Sequence, residues 1–367
     1  MRKGYNENEI AFMRRALTLA RKGLGQTSPN PMVGAVVVKS GRTVGLGFHR
    51  RAGEEHAEVV AIKEAGKKAR GAFLFVNLEP CSHYGRTAPC TEAIASAGIK
   101  KVYASVVDPN PQVNGKGIRF LRRRKIEVDV GLLDDEAREL NEVHFKVMEK
   151  KLPFVTLKFA QSLDGRIATR SYDSRWITGE TARRFAHFLR ATHDAVLVGR
   201  RTVEADDPQL TVRMVKGKNP LRLVLDTEGK LKSSVRLVRE NGDGKTVLLS
   251  GRSDSSNVEL RGEVAIWPVA LKNDRIDLRS ALETMLAQGV TSVLVEGGAG
   301  VLTGFLKEKL ADKVYVATAP MMIGEGISAV GDLGVEKLPQ AVRFERLQYK
   351  RLGTDMLFSG YPVCSPA

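Results

Sequence analysis

The chain has 367 residues, of which 43% are hydrophobic and 27% charged, with three cysteines; this excludes a mainly disordered, collagen-like or disulfide-framework protein and suggests two domains. No run nears the ~18 apolar residues of a membrane span, and the start MRKGYNENEIAFMRR lacks the apolar core of a secretory signal, so a cytoplasmic setting without a membrane partner is expected. Lys and Arg (58) exceed Asp and Glu (42), a net +16, which fits a nucleic-acid partner, phosphorylated small molecules, or the solvated Lys/Arg-rich surface of a heat-adapted protein.

In chain order, 6–22 reads as a helix: Ile10, Met13, Leu17 and Ala20 recur at helical spacing, and Asn6 with Glu9 resembles a capping pair. Strands at 32–39 and 44–49 flank the Ser40-Gly41 turn. A helix at 56–68, a buried strand at 72–78, a helix at 91–97 closed by Gly98 and a strand at 101–107 follow. After the turn-rich DPNPQVNGKG come a helix at 118–124 within a basic run, a strand at 127–130 and a helix at 134–147. The alternation predicts a three-layer α/β domain. Lys150-Lys151-Leu152-Pro153, charged and proline-stopped, marks a boundary between domains 1–148 and 149–367. Beyond it strands are expected at 154–160, 194–199, 221–226, 246–250, 290–295 and 313–319, with helices at 180–192, 277–288 and 301–310. An antiparallel pair after Leu338 closes this second α/β domain, and no internal repeat is visible.

His56-Ala57-Glu58 opens a predicted helix, and PCSHYGRTAPC (80–90) follows a buried strand. One imidazole and two thiolates suit Zn²⁺, with one tetrahedral position left for water. His56 and Cys90 both fall at helix starts, where the aligned dipoles favour thiolate and neutral imidazole. Glu58 stands near the fourth position without ligating, placed to carry a proton from water to a leaving amine. The blander readings are a plain helix start, two small buried cysteines, or a structural zinc site with His83 as fourth ligand. The ordered donor set, with Glu58 and a proline before each cysteine, favours hydrolytic zinc, and His83 then reads as a substrate-facing loop residue. The pattern is similar to that of zinc nucleobase deaminases, but eight residues separate Cys81 from Cys90 where those enzymes have two. The intervening loop must bulge, carrying His83 and Arg86 to the pocket rim.

SPNPMVGA (28–35), HAE and the long cysteine loop together resemble the bifunctional pyrimidine deaminase/reductase family of riboflavin biosynthesis. The resemblance implies a cytidine-deaminase-like N-terminal domain acting on a diaminopyrimidinone that carries a ribosylamino 5′-phosphate. It also implies one zinc on His56, Cys81 and Cys90, with Glu58 as the catalytic proton shuttle. Asn30 and His49 are substrate-pocket candidates, although Asn30 equally reads as a residue that only fixes its proline-flanked turn.

The second half has no G-x-G-x-x-G. Glu296-Gly297-Gly298-Ala299-Gly300 follows a strand and opens a helix, where backbone N–H groups can cradle a phosphate; such turns also carry glycines for steric reasons alone. With TLKFAQSLDGRIA (156–168), SRWIT (174–178), VGRRT (198–202) and DDPQLTVR (206–213), it resembles the C-terminal reductase domain of the same family. That likeness implies a dihydrofolate-reductase-like fold and NADPH as reductant. Its implied cofactor contacts are Ala160, Trp176, Thr202, Asp206, Thr227, Gly298, Ala299, Gly300, Val301, Leu302, Thr303 and Gly304; its implied substrate contacts are Ser174, Arg190, Leu210, Arg213 and Glu296. Trp176 also reads as core and Arg190 as a solvated helix end. The expected chemistry is hydrolytic deamination, then NADPH-dependent reduction of the ribosyl chain to ribityl, with Asp206, Glu296 or a water as proton donor. Gly298 is expected where a side chain would obstruct the phosphate and force a disallowed φ. The expected partner is a small phosphorylated pyrimidine and not nucleic acid. A nucleic-acid base deaminase would leave GGAG and SLDGRIA idle, and a zinc-stabilised nucleic-acid binder would need no Glu58 and more than 6% aromatics. Homo-oligomerisation stays open.

Overall fold

A computed structural model describes residues 4–85, 88–251 and 264–363; Arg86, expected on the pocket rim, lies outside the described residues. The chain divides into two compact units, Met1–Lys151 and Leu152–Ala367. Among the described residues no helix is long and apolar enough to cross a membrane.

The first unit contains α1 (Glu7–Ala20), β1 (Gly34–Lys39), β2 (Arg42–Phe48), α2 (Ala57–Ala65), β3 (Phe73–Val76), α3 (Cys90–Ser96) and β4 (Lys101–Ala104). It ends with α4 (Lys116–Arg123), β5 (Glu127–Val130), α5 (Asp134–Leu140) and α6 (Glu142–Lys150). The capping pair is present: Glu9 N–H donates to Asn6 Oδ1 at 2.9 Å and Asn6 N–H to Glu9 Oε2 at 3.0 Å. The sheet runs β2-β1-β3-β4-β5, antiparallel around β1 and parallel from β3 to β5. Strand side chains alternate between its faces. Val36, Val38, Phe75 and Tyr103 pack with Met13 and Ala16 of α1, whereas Ala35, Val37, Leu74, Val102 and Ala104 pack with Ala57 and Ala61 of α2, Ile94 of α3 and Leu121 of α4.

Two glycines let α2 touch the sheet with its backbone. A Cβ on Gly47 would lie 2.1 Å from the Ala57 carbonyl oxygen, and one on Gly45 the same distance from that of Ala61. The helix expected at 134–147 is in fact two, broken at Asn141. That residue's Oδ1 accepts from Met32 N–H at 2.8 Å and its Nδ2 donates to Met32 O at 3.0 Å, so the side chain serves as a strand-like partner and the backbone leaves helical geometry (φ −108°, ψ 26°).

The second unit begins with β6 (Phe154–Gln161), β7 (Arg166–Thr169), α7 (Glu180–Thr192), β8 (Ala195–Gly199), α8 (Arg200–Asp206), β9 (Leu221–Leu225), α9 (Arg236–Arg239) and β10 (Thr246–Ser250). It continues with β11 (Ala265–Pro268), β12 (Leu271–Lys272), β13 (Arg275–Ile276), α10 (Leu278–Ala287), β14 (Ser292–Val295), α11 (Ala299–Lys307), β15 (Lys313–Thr318), β16 (Gly326–Ser328), β17 (Arg343–Leu352) and β18 (Asp355–Val363). Nine strands form one sheet, β11-β10-β9-β8-β14-β6-β15-β18-β17. All pairs from β11 to β15 are parallel, and β18 and β17 are the antiparallel closing pair expected from the tail. Leu157, Leu197, Leu223, Val293 and Val295 pack under α10 and α11; Val196, Val198, Val224 and Leu294 pack with Leu189 of α7, Val203 of α8 and Leu237 of α9. The short elements β7, β11, β12, β13, β16, α8 and α9 had no sequence expectation. β7 and β16 exist through each other, Ala168 pairing with Ile327 far along the chain.

Gly47→Ala should destabilise the first unit by ~1–3 kcal/mol through overpacking against α2, read as a lower denaturant midpoint for that unit. Gly4→Ala, where a Cβ meets nothing within 4 Å, should leave the midpoint unchanged; equal midpoints for the two variants would contradict the backbone contact.

Candidate active sites

In the first unit, two asparagines hold the segment leading into β1: Asn141 as above, and Asn77, which accepts from Gly34 N–H at 2.8 Å and donates to Met32 O at 2.9 Å. Just upstream, Asn30 Nδ2 lies 3.0 Å from His49 Nε2, and His49 Nδ1 lies 3.2 Å from the Glu55 carbonyl. A carbonyl only accepts, so Nδ1 carries the proton and Nε2 accepts from the Asn30 amide. Asn30 Oδ1 is thereby left to accept from a ligand. Burial lowers the pKa of His49, consistent with that neutral ring. The His49 and His56 rings meet edge to face with centroids 5.3 Å apart, so both pocket candidates adjoin the predicted metal cluster.

His56 is the N-cap of α2 and Cys90 the first residue of α3. His56 Nδ1 lies 3.1 Å from Cys90 Sγ and 3.5 Å from Cys81 Sγ, and the donor atoms of all three lie within 4.8 Å of one another. The Cys90 thiol stabilises a Cys81 thiolate, bringing Cys81 down to about 4; the same hydrogen bond pushes Cys90 up, and the bond to Cys81 raises His56. Glu58 is 3% exposed, and burial first, then the Cys81 charge, pushes its carboxyl up to about 7. The cysteine loop is anchored at its base by Glu79, a buried carboxylate that accepts from the backbone N–H groups of Gly115 (2.8 Å), Ile118 (3.1 Å) and Asp108 (3.3 Å). His83 does not join the cluster; its Nδ1 is buried without a partner among the described residues. Two sulfurs and one imidazole nitrogen around a common centre suit a tetrahedral zinc with one open position.

In the second unit, Glu296 follows β14 directly and neighbours Lys158 on β6, since Val295 pairs with Leu157. Arg190 of α7 grips it as a fork, Nε to Oε1 at 2.6 Å and Nη2 to Oε2 at 2.9 Å, while Nη1 donates to the Thr211 carbonyl at 3.3 Å. Arg190 and Glu296 side chains are only 13% and 11% exposed, so Arg190 is not a solvated helix end. Burial alone would raise the Glu296 pKa, but Arg190, then Lys158 and His187, hold it at about 2. Glu296 is thus a carboxylate at neutral pH.

Lys158 and His187 were not anticipated. Burial lowers Lys158, which has no hydrogen-bond or ion-pair partner among the described residues. Its signal was available: a lysine inside the otherwise apolar part of a central strand is out of place unless it faces a site. His187 sits one helical turn before Arg190.

Other expected contacts converge. Gly298 N–H donates to Thr202 Oγ1 at 3.1 Å, and Ser174 Oγ donates to Asp206 Oδ1 at 3.2 Å. Thr227 lies in the turn after β9, and Ala160 near the end of β6. Ala299, Gly300, Val301, Leu302, Thr303 and Gly304 form the first turns of α11. Within them the Leu302 side chain is core, as is that of Leu210, which leaves only their backbones to meet a ligand. Trp176 is 66% exposed with Arg183 stacked 4.3 Å from its ring centroid, so it is not core. Gly298 has φ −71° and ψ 176°, extended backbone open to any residue, which corrects the expectation of a disallowed φ. A Cβ there would come 3.2 Å from Thr202 Oγ1, a contact with the protein rather than with a phosphate.

The family model of the cytidine and deoxycytidylate deaminase zinc-binding region matches residues 6–106, and that of the RibD C-terminal domain matches 153–358. The riboflavin biosynthesis protein RibD of Aquifex aeolicus is 44% identical over 347 residues, 94% of this chain and 96% of that protein. Its counterpart in Escherichia coli is 38% identical over 359 residues, 94% and 97% of the two chains. Among solved structures, RibD of Acinetobacter baumannii (form 1) aligns with TM-score 0.89 at 37% identity, covering 97% of this chain and 99% of its own. A diaminohydroxyphosphoribosylaminopyrimidine deaminase/5-amino-6-(5-phosphoribosylamino)uracil reductase of Thermotoga maritima aligns with TM-score 0.85 at 38% identity and the same coverage.

The shifted groups predict how the second unit responds to acid. Burial first, then Arg190 and Arg213, lowers His187 from 6.5 to about 4, and Glu296 falls from 4.5 to about 2. Both bind protons more weakly folded than unfolded, so each contributes stability that is complete above its unfolded value and lost as pH falls through the folded one. The melting temperature of this unit should therefore decline from pH 6.5 towards 4 and again from 4.5 towards 2. A thermal-melt series that stays flat from pH 7 to 4 would contradict the neutral, buried His187.

Proposed function

The chain belongs to the RibD family of riboflavin biosynthesis, bifunctional deaminase–reductases, and from that premise we propose which molecules its two sites take and which residues act on them. Its first unit has the cytidine-deaminase-like fold and its second the dihydrofolate-reductase-like fold. The substrate proposed for the first site is a diaminopyrimidinone bearing a ribosylamino 5′-phosphate. The second site then reduces the deaminated product from ribosyl to ribityl.

The observation that carries this reading is the His56–Cys81–Cys90 cluster beside a buried Glu58. One zinc per chain is proposed there, supplying Lewis-acid polarisation of a water nucleophile when bound. Glu58, buried beside these ligands, stands where it can take and return a proton. Asn30, its amide turned by His49, offers Oδ1 to a donor on the pyrimidinone edge. In the second unit NADPH is the proposed reductant and supplies the hydride. Ala160, Trp176, Thr202, Asp206, Thr227 and the stretch from Gly298 to Gly304 are its proposed contacts, supported by the Thr202–Gly298 bond that joins two of these segments. Ser174, Arg190, Leu210, Arg213 and Glu296 are the proposed substrate contacts. Lys158, beside Glu296 and without a hydrogen-bond or ion-pair partner among the described residues, and exposed Arg213 offer positive charge to a phosphorylated substrate. A cytoplasmic location fits the two free thiols at the cluster.

Incubation with the aminopyrimidine substrate should release ammonia and yield the ribosyl product without NADPH, and the ribityl product with it. Glu58→Gln should keep zinc and lose deamination at least a hundredfold, as expected for a lost general acid–base (~10²–10⁴), whereas Cys81→Ser and Cys90→Ser should lose the metal. Full zinc in both serine variants, or near-native deamination by Glu58→Gln, would overturn the site.

Gly298→Val should weaken NADPH binding at least tenfold in a fluorescence titration while deamination persists. Unchanged affinity in the folded variant would refute the phosphate-cradle role.

A further inference from the structure

Helix α7 holds the segment running to Arg213 at two points on one face. Arg190 donates to the Thr211 carbonyl at 3.3 Å, and one turn earlier His187 Nδ1 accepts from Arg213 N–H at 3.1 Å. Between them Val212 N–H donates to Asn219 Oδ1 at 2.8 Å, so three successive residues are tethered. The tethers have strain to hold: Asp207 and Leu210, neither a glycine, sit at φ 40° and 53°, in the left-handed region that L-residues disfavour.

A ring nitrogen that accepts from a backbone N–H is unprotonated, so His187 serves only as neutral imidazole. It is 6% exposed, and burial beside Arg190 and Arg213 lowers it to about 4, which keeps the accepting form populated at neutral pH. The guanidinium whose backbone it holds is exposed, donating to Thr211 Oγ1 at 2.8 Å and to Gln209. Among the described residues no other hydrogen bond holds Arg213 by its main chain.

We infer that His187 is a positioning residue for reduction: through Nδ1 it fixes the backbone of Arg213, and so the guanidinium that receives the substrate's phosphate. This rests on the reading above of Arg213 as a phosphate contact. His187 touches neither substrate nor cofactor in this role. Its effect belongs to substrate binding and to discrimination between phosphorylated and dephosphorylated pyrimidines.

The test is steady-state reduction by the full-length protein at saturating NADPH, on the phosphorylated substrate and its dephosphorylated counterpart. Asparagine can place an amide oxygen near the Nδ1 position, whereas glutamine places its polar atoms near Nε2. His187→Ala and His187→Gln should raise KM for the phosphorylated substrate about tenfold, equivalent to ~1.4 kcal/mol, with kcat within about twofold and the dephosphorylated substrate unaffected. His187→Asn should restore KM, and His187→Ala combined with Arg213→Ala should be no worse than Arg213→Ala alone. An unaltered KM in His187→Ala, an asparagine variant as impaired as alanine, or multiplicative losses in the double variant would each overturn the inference. A wild type that fails to reduce the substrate sinks the reductase reading and this inference with it; one that reduces it beside an unaffected His187→Ala sinks this inference alone.

Discussion

Parallel strand pairing is the constraint from which both sites follow. In a parallel sheet every strand ends on the same edge, so residues just beyond several strands converge although the chain separates them widely. In the first unit β3 and β4 run in register, Val76 beside Ala104. The segments that leave them meet at once, Asp108 N–H donating to the Glu79 carboxylate two residues before Cys81. In the second unit β8 and β14 end level with the middle of β6, which sets Glu296 beside Lys158 and brings Gly298 to within a hydrogen bond of Thr202. Helices complete each site by covering these edges: α2 brings His56 and Glu58, and α7 brings Arg190 and His187.

What the sequence disclosed was local, or chemically rare. The Asn6–Glu9 capping box, Gly98 at φ 70° after α3, and the alternation of strand faces all depend on near neighbours. The metal cluster was legible because His, Cys and Cys in that order have few other uses. Asn141 was not legible as a helix break, because its reason is Met32, more than a hundred residues away. The β7–β16 pair has the same non-local origin. Trp176 read as a contact that could also be core, and its exposed ring, with Arg183 stacked on it, excludes the core reading. Lys158 stood inside a recognised motif, yet its meaning depends on the neighbouring strand that supplies Glu296.

The two sites manage charge in opposite ways. Around His56 burial pushes Glu58 up to about 7 and His49 is neutral, while the Cys81 thiolate is met by the Cys90 thiol and by His56. Around Glu296 there is instead a surplus of cations on one carboxylate, and burial acts there on Lys158 and His187.

That surplus divides the arginines into two kinds. Arg190 cannot leave Glu296 without stranding a buried carboxylate, a loss of ~3–5 kcal/mol for such pairs, so its plane is fixed before any ligand arrives. Three of its five N–H donors are engaged, two with Glu296 and one with Thr211 O, which leaves two in a set direction. Arg213 has the converse character, an exposed side chain on a tethered backbone. At the contacts proposed above, a phosphorylated substrate would meet one guanidinium whose orientation Glu296 has already determined and another whose reach is limited by where α7 holds its main chain. Glu296 serves the site in ionised form as the counter-ion that makes the first of these rigid, which is a sufficient physical reason for burying a carboxylate among cations.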